Sequence, residues 1–98
     1  MIIRVVQMSF RTAEINAFED LFADRSPMIR QFPGCRHLEL WQDAKRPDIF
    51  FTYSHWESEA ALDHYRFSEF FKETWGLTKA LFAGPPQAWS LESHTVLD

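Results

Sequence analysis

The chain has 98 residues and a formal net charge of −4, from 10 basic and 14 acidic side chains. This length predicts one domain, spanning residues 1–98, with one modest core. The basic residues are scattered, and no apolar run is long enough for a bilayer or a secretion signal, so we expect neither a nucleic-acid partner nor a membrane partner.

The aromatic content is high for so short a chain, with ten Phe, four Trp and two Tyr. Aromatic side chains bury more area each than other residues, so the chain carries more apolar surface than a thin two-layer domain hides. We therefore expect a partner subunit or a bound ligand to cover part of it. The single cysteine, Cys35, cannot form an internal disulfide, which agrees with a cytoplasmic location.

Residues 2–10 predict a first strand with apolar side chains on both faces. The odd-numbered positions include one polar residue, Gln7, which is expected to face a cavity because a buried amide needs hydrogen-bond partners. The even-numbered positions include Val6 and Met8. A strand of this kind is covered on both sides.

The next segment predicts a helix with apolar residues at helical spacing. Thr12 is its expected cap. Ser26-Pro27 is expected to interrupt the helix, with either a kink or a short restart, because proline lacks a backbone donor. Pro33-Gly34 then ends it.

The second half of the chain predicts two strands, 35–42 and 49–56, joined by a charged hairpin loop. Ser58 and Ser68 are expected to cap two helical segments. A last strand, with alternating residues from Trp89 to Leu97, follows a Gly-Pro-Pro break. The second helical segment is expected to carry a broad apolar stripe, formed by Phe70, Phe71, Thr74, Trp75, Leu77, Thr78, Leu81 and Phe82.

This order of elements is β-α-β-β-α-β, which predicts an α+β, ferredoxin-like fold. Right-handed crossovers place the helices on one face of a four-stranded antiparallel sheet. The other face would then be bare while still apolar, and we expect Val6, Met8 and their neighbours to form it. An apolar patch of that size indicates an interface, so we predict an obligate homodimer in which two sheets pack face to face.

A family resemblance is carried by residues around the third strand and the helices that follow. They are Trp56, Glu57, Ser58, Ala61, Leu62, His64, Ser68 and Phe71, with Pro33 and Gly34 ahead of the second strand. This set resembles the signature of the antibiotic biosynthesis monooxygenase family of small dimeric α+β-barrel proteins. The resemblance spans nearly the whole chain in the order and type of its elements, and it implies the same fold and a homodimer.

The resemblance also implies an activity, since enzymes of this family oxidise activated planar aromatic substrates with O2 and use neither metal nor flavin. A dry aromatic cleft between sheet and helices would hold the substrate, and polar groups would stabilise its anion. The candidate catalytic residues are Gln7, His64, Tyr65 and Trp75. The residues expected to contact substrate are Tyr53, Trp56 and Phe71, although Trp56 is also suited to anchoring the strand-helix turn by packing.

Several alternatives remain open on the sequence. A second branch of the family degrades haem, but the position of its iron-binding histidine falls on Trp75, which cannot bind iron, so haem oxygenase activity is not expected. The four histidines have no metal-ligand spacing, and we expect no metal or cofactor. The chain is therefore either a cofactor-independent monooxygenase, an isomerase of a small conjugated carbonyl compound, or a non-catalytic dimer that binds a small apolar molecule or a protein.

Overall fold

The structure is a computed structural model that describes residues 1–98, and it consists of a four-stranded antiparallel sheet and three α-helices. The strands are β1 (Ile2–Ser9), β2 (Cys35–Gln42), β3 (Ile49–Trp56) and β4 (Gln87–Leu91). The helices are α1 (Ile15–Arg30), α2 (Glu59–Arg66) and α3 (Glu69–Lys79). None of them is long and apolar enough to cross a membrane.

The strand order in the sheet is β2-β3-β1-β4, and every neighbouring pair is antiparallel. Helix α1 connects β1 to β2, and the α2–α3 pair connects β3 to β4. This arrangement confirms the predicted ferredoxin-like fold, with the second helix of that fold divided in two. The bounds of β2 and β3 are those that the alternation and the hairpin signals predict.

The core lies between the helices and one face of the sheet, and it is built from two clusters. The first packs α1 on β1 and β3, and its buried members are Met8, Phe10, Phe18 and Phe50. The rings of Phe10 and Phe18 stack with their centroids 4.1 Å apart. The second cluster packs α2 on the start of β2 and the end of β3, and its buried members are Cys35, Trp56 and Leu62.

The helices cover the even-numbered face of β1, not the odd-numbered one. Met8 is buried in the first core cluster, and Val6 packs against that cluster. The prediction that these two residues form the bare face was therefore wrong. Strand alternation separates two faces but does not say which one the helices will cover, and here the continuation of the even-numbered face into Phe10 decides it.

Helix α1 differs from the prediction at its expected cap and at its expected break. Thr12 lies in a short 3-10 turn, and neither that turn nor α1 has a side-chain cap. Pro27 lies inside the continuous helix, so the predicted interruption at Ser26-Pro27 was wrong. Proline removes one hydrogen bond and crowds the turn before it, but the helix continues to Arg30 and buries Ile29 beyond the proline.

The caps of the other two helices are as predicted. The Ser58 hydroxyl accepts a hydrogen bond from the Ala61 amide at 3.1 Å, and the Ser68 hydroxyl accepts one from the Phe71 amide at 3.1 Å. Within α3 the apolar stripe is narrower than predicted, because the Leu77 side chain is 46% exposed. Leu77 lies at the edge of the apolar stripe, whereas Thr74 and Thr78, one turn apart, lie at its buried centre.

Strand β4 is shorter than predicted. It ends at Leu91, which pairs with Ile3, and residues 92–98 form neither helix nor strand. The alternation continues to Leu97, but β1 begins at Ile2 and offers no partner to a longer strand. A strand extends only as far as its neighbour provides hydrogen-bonding groups.

Candidate functional site

One cavity of about 240 Å³ lies between the helix-covered face of the sheet and the helices. This volume is below the usual range of small-molecule sites, which begins at about 300 Å³, so the cleft suits a small ligand. The sheet contributes the side of the cleft formed by Arg4, Val6, Met8, Leu38, Thr52 and Ser54. Helices α1 and α3 face each other across it. The cleft is therefore not filled by side chains, and it is lined by polar as well as apolar groups.

Four aromatic side chains form one continuous wall of the cleft. The Trp56 and Tyr65 rings stack with centroids 4.8 Å apart, and Phe71 meets Tyr65 edge-on at 5.0 Å. Trp75 then stacks on Phe71 at 5.9 Å. Such a wall offers flat, apolar contact area, which suits a planar ligand.

Two polar groups of this wall are free for a ligand. The Tyr65 hydroxyl and the Trp75 indole nitrogen make no side-chain hydrogen bond within the chain, and no buried polar side-chain atom of the protein lacks a partner, so both atoms are reached by solvent. Burial raises the pKa of Tyr65 well above its ordinary value. Tyr65 therefore remains protonated and acts as a hydrogen-bond donor, because desolvation disfavours the phenolate.

Two threonines one turn apart contribute hydroxyl groups from α3. Thr74 and Thr78 are both buried, and the Thr78 hydroxyl donates to the Thr74 carbonyl at 2.7 Å. The Thr74 hydroxyl accepts a hydrogen bond from the Arg25 guanidinium at 3.1 Å. This contact joins α1 to α3 over the cleft and holds the two helices at a defined distance.

Every charged residue that lines the cleft is an arginine. Arg4, Arg25 and Arg66 are among the lining residues, and no aspartate, glutamate or histidine is. This is notable in a chain whose formal charge is −4. Carboxylates outside the cavity pair with Arg25 and Arg66, so the uncompensated positive charge of the cleft is that of Arg4, which is suited to stabilising negative charge.

The arrangement favours anion stabilisation over proton transfer by the protein. No lining residue is of a type that ordinarily ionises near neutral pH and could act as a general base. The chain also has no group of three or more His, Cys, Asp or Glu side chains that could hold a metal ion. What the cleft provides is a flat apolar wall, several hydrogen-bond donors and positive charge.

Four of the residues predicted to form the site do line the cleft: Trp56, Tyr65, Phe71 and Trp75. Trp56 is 1% exposed, and its indole nitrogen donates to the Ser54 hydroxyl at 3.0 Å. Its hydrogen-bonding capacity is thus used inside the protein, as expected of a packing anchor. The remaining three present ring faces or edges to the cavity.

The other three predicted residues lie elsewhere, and their predicted placement in the cleft needs correction. Gln7 and Tyr53 are on the odd-numbered face of the sheet, which no helix covers. His64 is exposed on α2, where its ring packs against Phe32 at 5.4 Å. The error for Gln7 and Tyr53 has the same cause as that for Val6, since both depend on which sheet face the helices cover.

The uncovered face, which we call the open face, holds a cluster of polar and aromatic side chains that bind one another. The Trp41 indole donates to Glu39 at 2.7 Å, and Glu39 is also hydrogen-bonded to His37. Tyr53 stacks on Trp41 at 4.5 Å, and its hydroxyl is hydrogen-bonded to His55 at 2.7 Å. These hydrogen bonds from His37 and Trp41 hold the pKa of Glu39 below its usual range.

Sequence reasoning missed the arginines and the hydroxyl groups of the cleft. The signals were weak but present. Arg4 alternates in register with Val6 and Met8, so its side chain had to share their face. Thr74 and Thr78 interrupt the apolar stripe of α3 with hydroxyl groups one turn apart. Arg25 carried no signal, because the contact it makes joins two helices that are far apart in sequence.

Comparison with known proteins agrees with this architecture. The family model for antibiotic biosynthesis monooxygenase matches residues 1–75. No curated protein matches the sequence significantly.

Three solved structures illustrate the similarity of fold. The chain is 23% identical to an antibiotic biosynthesis monooxygenase, with a TM-score of 0.90 over 97% of this chain and 100% of that one. It is 21% identical to a conserved protein from Methanosarcina mazei Go1, with a TM-score of 0.89 over 96% and 94%. A protein from Mycobacterium tuberculosis is 18% identical, with a TM-score of 0.88 over 99% and 98%.

At these identities the structures show a shared fold, while the match of the family model covers most of the chain and includes β1 to β3, α2 and much of α3. The predicted resemblance is thereby confirmed. The chain belongs to the antibiotic biosynthesis monooxygenase family.

Proposed function

We propose that the protein is a cofactor-independent monooxygenase that oxidises a small planar phenol or quinol-type compound with O2 in the cleft between sheet and helices. The observation that carries this proposal is the composition of the cleft. An aromatic wall, free hydrogen-bond donors on Tyr65 and Trp75, and arginine as the only charged residue type together suit a planar substrate in its anionic form. Membership of the family supports the reaction class.

The reaction balances without any further reactant. The phenolate reacts with O2 at the ring carbon para to its oxygen, and a carbon–oxygen bond forms to give a peroxide. The peroxide then loses water and leaves a carbonyl, so that a phenol and O2 give a quinone and water. One oxygen atom enters the product, the other leaves as water with the hydrogens of the O–H and C–H groups, and the substrate supplies all the electrons.

The protein's part in this reaction is to hold the ring and to favour its anion. Phe71 and Trp75 provide the stacking surface, and the Tyr65 hydroxyl and the Trp75 indole donate hydrogen bonds to the substrate oxygen. Because the cleft lacks a general base, suitable substrates are those acidic enough to ionise in water, and the arginines stabilise the anion once it is bound. Oxygen needs only the apolar space beside the ring.

The proposal includes a homodimer formed through the open face. Proteins of this family are generally dimeric. The open face carries large side chains that a monomer leaves partly exposed, among them Trp41, Trp89 and Leu91. Glu39 and Tyr53 are hydrogen-bonded to neighbouring side chains of the same face, so a second sheet can cover them without leaving them unpaired. The Gln7 amide makes no side-chain hydrogen bond within the chain and is available to bind the second sheet.

The test is oxygen consumption with 1-naphthol and more acidic phenols at about pH 9, where a larger share of the phenol is ionised in water, followed by mass spectrometry of the product made under ¹⁸O2. We expect saturable oxygen uptake and one labelled oxygen atom in the quinone. Trp75→Phe keeps the stacking surface but removes the donor, and we expect kcat/KM to fall roughly tenfold. Trp41→Phe, an equivalent change on the open face, should leave kcat/KM unchanged.

The result also separates the proposal from the non-catalytic alternative, which the lack of a general base in the cleft favours. A saturable rise in melting temperature with planar phenols, but no oxygen uptake above the uncatalysed rate, would indicate a binding protein. Equal activity of the Trp75→Phe variant and the wild type would contradict the proposed role of the Trp75 indole as a hydrogen-bond donor.

A further inference from the structure

Arg4 is a cation whose charge no acidic group of the cleft balances. It lies on the covered face of β1, between Ser54 on β3 and Ser90 on the edge strand β4. Its guanidinium donates a hydrogen bond to the Ser90 hydroxyl at 3.0 Å and forms no ion pair. The side chain is half-buried and lines the cavity.

The other two arginines of the cleft differ from Arg4 because carboxylates pair with them. The Arg25 guanidinium lies 3.0 Å from Glu73 and 3.3 Å from Asp24. Arg66 lies 3.9 Å from Asp63, one turn away on α2. Their charges are therefore at least partly compensated from outside the cavity, whereas that of Arg4 is not.

Of the two charges that act on Arg4, the repulsive charge of Arg66 has a stronger effect than the attractive charge of Asp63. Burial lowers the pKa of the Arg4 guanidinium, and the charge of Arg66 lowers it further, while Asp63 opposes these with the smallest effect. A half-buried cation beside a second cation is unfavourable unless an anion joins them, because removal from water penalises the charged form.

We propose, building on the proposed function, that the cleft takes planar aromatic ligands that carry a carboxylate, and that the Arg4 guanidinium binds this carboxylate. The guanidinium is a planar fork whose paired N–H donors match the two oxygens of a carboxylate. Arg4 is thus a specificity-determining residue, distinct from the donors Tyr65 and Trp75 that face the ring.

The position of Arg4 agrees with this role. It stands beside the edge strand, where the cleft meets solvent, and the Ser90 hydroxyl that it binds is exposed. A carboxylate can therefore reach the guanidinium while keeping part of its hydration, and its ring extends inward along the aromatic wall. Ser90 is able to turn its hydroxyl hydrogen toward the same anion, since a hydroxyl both donates and accepts.

The experiment compares 2-naphthoate with 2-naphthamide, a neutral ligand of nearly the same shape. Binding to the intact wild-type protein is followed by quenching of tryptophan fluorescence, because Trp56 and Trp75 line the cleft. We expect 2-naphthoate to bind roughly tenfold more tightly than the amide, as a charge-assisted hydrogen bond predicts. Arg4→Gln should abolish this preference, and Arg4→Lys should retain part of it.

Two further variants keep the test independent of folding and of net charge. Arg36→Gln removes the same charge from an exposed arginine that pairs with Glu57 outside the cleft, and it should leave the preference unchanged. Arg66→Gln removes the neighbouring charge of the cleft and should lower naphthoate affinity about threefold. Circular dichroism verifies that each variant is folded.

Some outcomes would overturn the inference. Equal affinity of wild type for naphthoate and naphthamide, or no binding of either, would contradict the proposed carboxylate site. An equal loss of naphthoate affinity in Arg4→Gln and Arg36→Gln would show an effect of net charge alone. Loss of the dimer in Arg4→Gln, without a change in the preference for naphthoate, would assign Arg4 to a partner subunit's carboxylate instead.

The inference and the proposed activity fail separately. 2-Naphthoate has no hydroxyl group to oxidise, so its binding does not depend on turnover. If it binds through Arg4 while no phenol supports oxygen uptake, the carboxylate site stands and the monooxygenase proposal falls. If 1-naphthol is oxidised but the protein binds 2-naphthoate no more tightly than 2-naphthamide, the proposed activity is supported and the proposed carboxylate site is contradicted.

Discussion

The two faces of the sheet use similar residue types in opposite ways. On the open face, Glu39 and Tyr53 each hydrogen-bond to neighbouring side chains of the same face. On the covered face, Arg4 has no carboxylate partner, and the helices packed over that face contribute Tyr65 and Trp75, whose donors have no protein partners. A polar surface that is satisfied internally is suited to burial against a second sheet, whereas free donors and unbalanced charge are suited to a ligand. The difference separates the proposed assembly surface from the proposed binding site.

The largest effect is expected from the core of the covered face. Phe10 is 1% exposed and stacks on Phe18, so Phe10→Ala should lower the free energy of unfolding by about 3–5 kcal/mol. Urea denaturation measures this loss. Leu77→Ala serves as the control, because Leu77 is half-exposed on α3 and its truncation should cost less than about 1 kcal/mol. Similar losses in both variants would contradict the core assignment.

A charge at the centre of the open face should break the proposed assembly without unfolding the chain. Val5 lies between Tyr53 and Trp89 on that face. Val5→Lys would place an ammonium group between two packed sheets, and we expect the dimer dissociation constant to rise at least about a hundredfold. Sedimentation equilibrium measures the change, and circular dichroism verifies that the monomer is folded.

The matched control for this variant is Phe67→Lys. Phe67 is 69% exposed at the end of α2 and lies outside the sheet, so the same charge there should leave the dimer unchanged. A Val5→Lys protein that remains dimeric would move the assembly surface away from the open face. A monomeric wild type at micromolar concentration would contradict the dimer itself.

The smallest effect is expected from the carboxylate of the open-face cluster. The pKa of Glu39 is lowered in the folded protein by hydrogen bonds from His37 and Trp41. A lowered folded-state pKa means that the stabilisation is present above the unfolded-state pKa and is lost as pH falls through the folded-state pKa. The urea midpoint of wild type should therefore exceed that of Glu39→Gln at pH about 6, and the two should converge as the pH falls below the ordinary glutamate pKa of about 4.3 and then through the lower folded-state pKa. A difference between the two urea midpoints that does not vary with pH would contradict a stabilising effect of the Glu39 carboxylate charge.

The sequence alone determined the local elements and the family. The bounds of β2 and β3, the serine caps of α2 and α3 and the turn at Gly34 all depend on signals within a few residues. Gly34 has a φ of 88° and a Cβ there would lie 2.5 Å from that of Ala61, so only glycine fits this turn. These choices are local, which is why residue type and spacing predict them.

Only the tertiary structure decided which side chains meet. Alternation along β1 places Gln7 and Arg4 on different faces, but it is symmetric between those faces and does not say which one the helices cover. The end of β4 depends on the length of its neighbour β1, and the cleft depends on α1 and α3 standing apart over the sheet. Contacts between residues distant in sequence determine all three, and these contacts placed Arg4 in the cleft and Gln7 outside it.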